Sequence, residues 1–137
     1  MAKVASVNIC FFGLNRSLSY TINSIKEYLF EPLNKLGIAY SVYGAFLRVD
    51  SFTNPRSNEF NESPQDFETD LIDFDAHRTI DQVSFDNSID WRQVFRFGDR
   101  YEEIDVSDES LHSPISTTKN IFRSLFVLKE SFSLIPE

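Results

Sequence analysis

The residues best placed for chemistry form one short turn, Phe12-Gly13-Leu14-Asn15-Arg16-Ser17. Gly13 lets a backbone approach a ligand closely. Arg16 offers a forked donor, and Asn15 and Ser17 offer further hydrogen bonds. If the turn opens a helix, its free N–H groups and positive dipole end attract phosphate. A strand–glycine–cap–helix junction is also required by any βαβ protein, so a purely structural reading stands beside the anion-binding one. A single glycine falls short of a glycine fingerprint.

The other candidates are thinner. Asp73-Phe74-Asp75 is a carboxylate pair that could hold Mg²⁺ or Mn²⁺ against a diphosphate, although an acidic segment produces such triplets freely. His77 and His112 are the only imidazoles and read as surface residues. Cys10 lies in an apolar run, where a thiol is inert packing rather than a nucleophile. The chain contains no Gly-x-Ser-x-Gly elbow, P-loop, His-Glu-x-x-His helix or Asp-x-Asp-x-Asp-Gly calcium loop.

The elements that position these residues can be read from periodicity. Val4 to Phe12 is nearly continuous apolar sequence ended by Gly13, the pattern of a strand buried on both faces in a parallel sheet. Ile22, Ile25, Tyr28, Leu29, Leu33 and Leu36 recur at spacings of three and four, one face of a helix. Pro32 should kink or end that helix near Phe30, and Gly37 suits its C-terminal cap. Residues 38–49 are rich in strand formers, so residues 1–49 spell a βαβ unit. Beyond it, residues 50–116 form an acidic, loop-rich middle, with a short strand expected at Leu71–Phe74. Short helical turns are expected at Asp81–Phe85 and Trp91–Phe97. A C-terminal helix follows over 117–133, capped by Thr117 or Thr118 and stopped by Pro136. Ile121, Leu125, Leu128 and Phe132 form its apolar stripe, widened by Phe122 and Phe126.

Composition narrows the function classes. The 137 residues suit one domain with a core of its own. Fourteen Phe supply packing area beyond the modest share of Val, Ile and Leu. A single Cys excludes an internal disulfide framework and a thiolate zinc site. No apolar run suits a membrane span or signal peptide, so a cytoplasmic protein is expected. The formal charge of −8 disfavours nucleic acid. That charge is concentrated: residues 51–110 carry five Arg against sixteen acids, while both flanks are slightly basic. The five acids across residues 59–70 read as a solvated loop.

Residues 10–43, CFFGLNRSLSYTINSIKEYLFEPLNKLGIAYSVY, resemble the start of a family of bacterial and viral glycosyltransferase-like proteins. Those proteins have a GT-A, nucleotide-sugar-binding fold. They open with a Phe-Phe-Gly strand end, a following Arg and a Tyr-Thr-Ile helix. The resemblance continues loosely at NPRSNEFN (54–61) and at TTKNIFRSLFVLKESF (117–132), with its Lys-Asn-x-x-Arg-x-Leu pattern. It implies a small three-layer, Rossmann-like α/β domain with a short, mainly parallel sheet and a C-terminal helix. It also implies a nucleotide diphosphate against Gly13, Asn15, Arg16 and Ser17, bordered by Asn54, Arg56 and Ser57 and faced by Lys119 and Arg123. Mg²⁺ or Mn²⁺ would enter only with a bound nucleotide-sugar.

The resemblance covers only the family's N-terminal half. In such enzymes the final helix leads into a further strand with a metal-binding Asp-x-Asp, and the chain ends before it; Asp73 and Asp75 fall too early to be its equivalent. Two functions are therefore expected. One is a truncated glycosyltransferase-like domain that binds a nucleotide or nucleotide-sugar without complete catalytic machinery. The alternative is an acidic adaptor that keeps the fold and engages proteins. In either case an unpaired strand at Val4–Phe12 calls for a homodimer or a protein partner to cover it.

Overall fold

The structure is a computed structural model that describes residues 6–15, 18–54, 58–63, 66–95, 105–107, 109–110 and 113–137. In chain order it contains β1 (Val7–Leu14), α1 (Leu18–Ile25), α2 (Glu31–Lys35), β2 (Tyr40–Arg48), β3 (Phe52–Asn54) and β4 (Glu59–Glu62). After these come β5 (Ala76–Asp81), α3 (Gln82–Asn87), α4 (Trp91–Val94) and α5 (Pro114–Ser133). Strands β1, β2 and β5 form one parallel sheet in the order β1-β2-β5, and β3 and β4 pair as a small antiparallel ribbon. The protein is therefore an α/β fold of the small Rossmann-like kind, opening with strand, helix and parallel strand.

Three layers follow from the alternation of side chains along β2. Val42 joins Leu18 and Ile22 of α1 and Ile72 on one face of the sheet, with Phe11 and Phe74 packed against them. On the other face, Ala45 and Leu47 meet Val127 of α5, with Ile80 and Phe126 alongside. A third cluster of Phe85, Trp91 and Phe95 extends from Phe126. Much of the Phe content is accounted for by these clusters and by ring pairs such as Phe85–Phe126, 4.4 Å between centroids.

Several expectations change. The third strand is Ala76–Asp81, later than Leu71–Phe74, which instead fall at and just after a 3-10 turn spanning Asp66–Leu71. The first helix is not ended by Pro32: it widens over Lys26–Phe30, where the Glu31 N–H reaches back to the Lys26 carbonyl. Pro32, which has no N–H to donate, sits in the first turn of α2. Ile22 is buried and Ile25 half-buried, but Tyr28 and Leu36 are exposed. Gly37 closes α2 at φ +65°, with the Ile38 N–H bonded to the Leu33 carbonyl, the left-handed closure that glycine favours. Helix α5 starts earlier than expected, with Ser113 accepting from the Ser116 N–H and Pro114 just inside the start. Strand β1 is not buried on both faces: none of its residues is fully buried, because it lies at the sheet edge.

Close packing of the α1 face depends on Gly44. A Cβ there would stand 2.7 Å from the Phe46 ring and 2.8 Å from the Phe74 ring. Overpacking of this kind costs about 1–3 kcal/mol, more than the roughly 0.5–1 kcal/mol that removing a strand glycine returns. Gly44→Ala is therefore expected to lower the urea midpoint at unchanged slope; equal or greater stability would show that both rings move aside.

Candidate functional site

At the carboxyl ends of the parallel strands lies a cavity of about 720 Å³, the place where open α/β sheets hold ligands. Its wall includes Gly13 and Leu14 of β1, Leu47 of β2, and Asn120, Arg123 and Ser124 of α5. Gly13 adopts φ +120° with nothing within 4 Å of where a Cβ would stand, so backbone strain and not crowding demands a glycine. The structure thus brings Gly13 and Arg123 to one cavity. The Asn54 backbone ends β3, and Ser51, Phe52 and Thr53 just before it line the same space. Arg16, Ser17, Arg56 and Ser57 lie outside the described residues.

The two α5 cations do not stand free. Arg123 is buried and donates through Nε to Asp86 Oδ1 at 2.9 Å and through Nη2 to Asp86 Oδ2 at 2.5 Å. It also meets Glu109 at 3.3 Å and the Asn120 carbonyl oxygen at 2.8 Å. Burial works against its charge, but the bonds and field of Asp86, then of Glu109, outweigh that and hold its pKa above the ordinary arginine value. Lys119, also buried, donates to Glu109 at 2.7 Å and lies 5.5 Å above the Trp91 ring. Instead of facing a diphosphate, both cations face carboxylates of the chain itself.

The start of α1, the second place for an anion, is likewise in use. The buried Glu68 carboxylate accepts from the Leu18 N–H at 3.0 Å and from the Ser19 hydroxyl at 2.7 Å. With its amide suitably oriented, Asn15 donates to Glu68 at 3.2 Å and accepts from the Thr69 N–H at 3.3 Å. A carboxylate at a helix N-terminus meets free donors and a favourable dipole. The acids of residues 59–70 are therefore not all a solvated loop: Glu68 is a structural anion on the 3-10 turn.

Asp73 and Asp75 stand at the opposite, amino end of the sheet. They line a cavity of about 730 Å³ with Lys26, Tyr40 and Asp70, and Asp75 accepts from the Val42 N–H at 2.7 Å. Their position removes them from Gly13 and Arg123, so a metal there could not serve a diphosphate at the carboxyl edge. Among the described residues no group of three or more His, Cys, Asp or Glu is arranged to hold a metal ion. His77 is exposed beside Phe74, and His112 lies outside the described residues. Cys10, half-buried, has its thiol pKa pushed up by burial, with a weaker opposing hydrogen bond from Ser131.

The least expected feature is the rotation of α5. Its buried line is Lys119, Arg123, Val127 and Ser131, at spacings of four. Ile121, Leu125 and Phe132, expected in the core, are 53%, 59% and 56% exposed. Phe126 enters the core, and Phe122 meets Trp91 edge-on. Beside this helix runs β1, paired only with β2 among the described residues, and its Phe12 is 47% exposed. Val4 and Ala5, expected in the same strand, lie outside the described residues.

Comparison with protein-family models, curated proteins and solved structures finds no match to the chain. Among the described residues no helix is long and apolar enough to cross a membrane.

Two substitutions test these polar contacts. Glu68→Ala leaves the Leu18 N–H and Ser19 hydroxyl without their acceptor and is expected to lose about 1–3 kcal/mol in urea unfolding; Glu68→Gln loses less, because it keeps an acceptor. Arg123→Ala strands Asp86 beside a buried gap and should lose about 3–5 kcal/mol. A neutral result for Arg123→Ala would mean that the pairs contribute nothing net.

Proposed function

We propose that this protein is an interaction module built on a Rossmann-like scaffold, with the outward face of α5 as its binding surface. The observation that carries this is the more-than-half exposure of Ile121, Leu125 and Phe132 on one helix face. Side chains of this kind gain about 1.5–3 kcal/mol each on full burial, so a partner that covers them recovers a substantial free energy. An exposed apolar stripe of this kind marks an interaction surface. A lipid surface fits less well: on α5 the exposed cation is Lys129, in a chain of net charge −8.

The pairing of Lys119 and Arg123 with Glu109 and Asp86, and the seat of Glu68 on α1, support an adaptor over a nucleotide-sugar transferase. A nucleotide-binding reading retains one observation in its favour, the shared cavity of Gly13, Asn120 and Arg123. Calorimetric titration separates the two: uridine- and guanosine-diphosphate sugars are expected to give no heat. Saturable heat that Arg123→Ala abolishes in a folded protein would favour the second reading.

The surface itself is tested by Ile121→Ser with Leu125→Ser in dilute solution. Exposed positions change stability by about 0.5 kcal/mol or less, whereas core positions lose several. The double variant should therefore melt within a few degrees of the native chain and bind less of an apolar dye. A collapse of the melting temperature would place the stripe inside the protein and end the proposal.

A further inference from the structure

We propose that the cavity at the amino end of the sheet binds a free basic amino acid, L-arginine in preference to L-lysine. This goes beyond the α5 surface and does not rest on it. The cavity lies on the α1 face, where Phe30 and Tyr40 pack against the cluster that contains Val42 and Ile72; α5 packs on the opposite face. Its volume of about 730 Å³ falls within the range of roughly 300–1,000 Å³ common to small-molecule sites. Part of the wall is aromatic: the rings of Phe30 and Tyr40 are stacked, 5.4 Å between centroids and 2° from parallel. Lys26 and Phe30, the first and last residues of the wide helical turn, both line the cavity. Wide turns of this kind are rare and recur at functional sites.

The charges of the lining select the ligand. Asp75 is already engaged: its carboxylate accepts from the Val42 N–H at 2.7 Å, and its own N–H donates to the Val42 carbonyl at 2.8 Å. Lys26, Asp70 and Asp73 are exposed, and among the described residues none of the three has a hydrogen-bond or ion-pair partner. Two carboxylates and one ammonium therefore stand open on one cavity. A metal ion is a poor match, because no three of the described His, Cys, Asp and Glu residues converge on a point. The complement of two anions and one cation is a molecule with two cations and one anion, the charge set of a basic amino acid. Its carboxylate meets Lys26, and its α-ammonium and side-chain cation meet Asp70 and Asp73. A guanidinium is planar and stacks on aromatic faces, whereas an ammonium is a compact, strongly hydrated point charge. Arginine is favoured on that ground. An acidic amino acid carries the inverse charge set and is excluded.

Calorimetric titration of the full chain tests this at physiological ionic strength, which screens the general attraction of a −8 chain for cations. L-Arginine should give saturable heat, L-lysine weaker binding and L-glutamate none. Ion pairs at an open site contribute modestly, so a dissociation constant on the order of 0.1–1 mM is expected. L-Argininamide, which lacks the carboxylate, should bind the native chain about fivefold more weakly than L-arginine, and Lys26→Gln should erase that difference. Nα-Acetyl-L-arginine, which mimics a peptide ending in arginine, should also bind more weakly than the free amino acid. Asp70→Asn with Asp73→Asn should abolish the heat at an unchanged melting temperature, since neither side chain has a partner to lose. Absence of saturable heat with L-arginine overturns the proposal, as does equal binding of L-glutamate or L-argininamide by the native chain. Heat that survives the double asparagine variant overturns it too, and tighter binding of the acetylated form overturns the assignment to a free amino acid. Should the double variant fail to fold, the native-chain series and Lys26→Gln decide. The α5 surface stands or falls separately, by its own serine variants.

Discussion

The pairing of Arg123 with Asp86 and Glu109 sets how α5 is rotated, and the character of the molecular surface follows from that rotation. A guanidinium removed from water requires a counter-charge, which Asp86 on α3 supplies through both carboxylate oxygens. Once position 123 points inward, 100° of turn per residue carries Lys119, Val127 and Ser131 with it. Positions 121, 125 and 132 are then driven to the water side. Leaving Arg123 unpaired and half-exposing several aliphatic and aromatic side chains are penalties of the same order, a few kcal/mol each. Contacts of Val127 with Ala45 and Leu47 add to the inward side.

The same economy of charge governs the ends of the sheet. Geometry at the carboxyl edge has what a phosphate site requires, a helix start and a convergent arginine. In each case a carboxylate of the chain already holds the donor: Glu68 at α1, and Asp86 and Glu109 at Arg123. Internal anions therefore stand where a ligand's anion would otherwise be needed, and part of the acidic middle segment serves structure.

What could be read from sequence was what local periodicity controls. The strand–helix–strand opening, the Gly37 cap and the existence of the last helix all depend on residues a few positions apart, and they appear close to where expected. The side of α5 that faces inward was misjudged, because hydrophobic patterning favours the apolar stripe whereas ion pairs with residues 14 and 37 positions away decide the outcome. Glu68 was hidden for the same reason: within an acidic run nothing local distinguishes the one carboxylate that the fold will bury. Gly13 and Arg123 line one cavity, but the carboxylates that neutralise the arginine have no signature in the local sequence.

The carboxylate that completes the start of α1 lies 50 residues downstream of the amide it accepts from. During synthesis the opening crossover leaves the ribosome well before that group exists, and α1 emerges with its leading amide solvated. The opening crossover is therefore not self-contained: the anchor of its helix comes from the 3-10 turn at Asp66–Leu71.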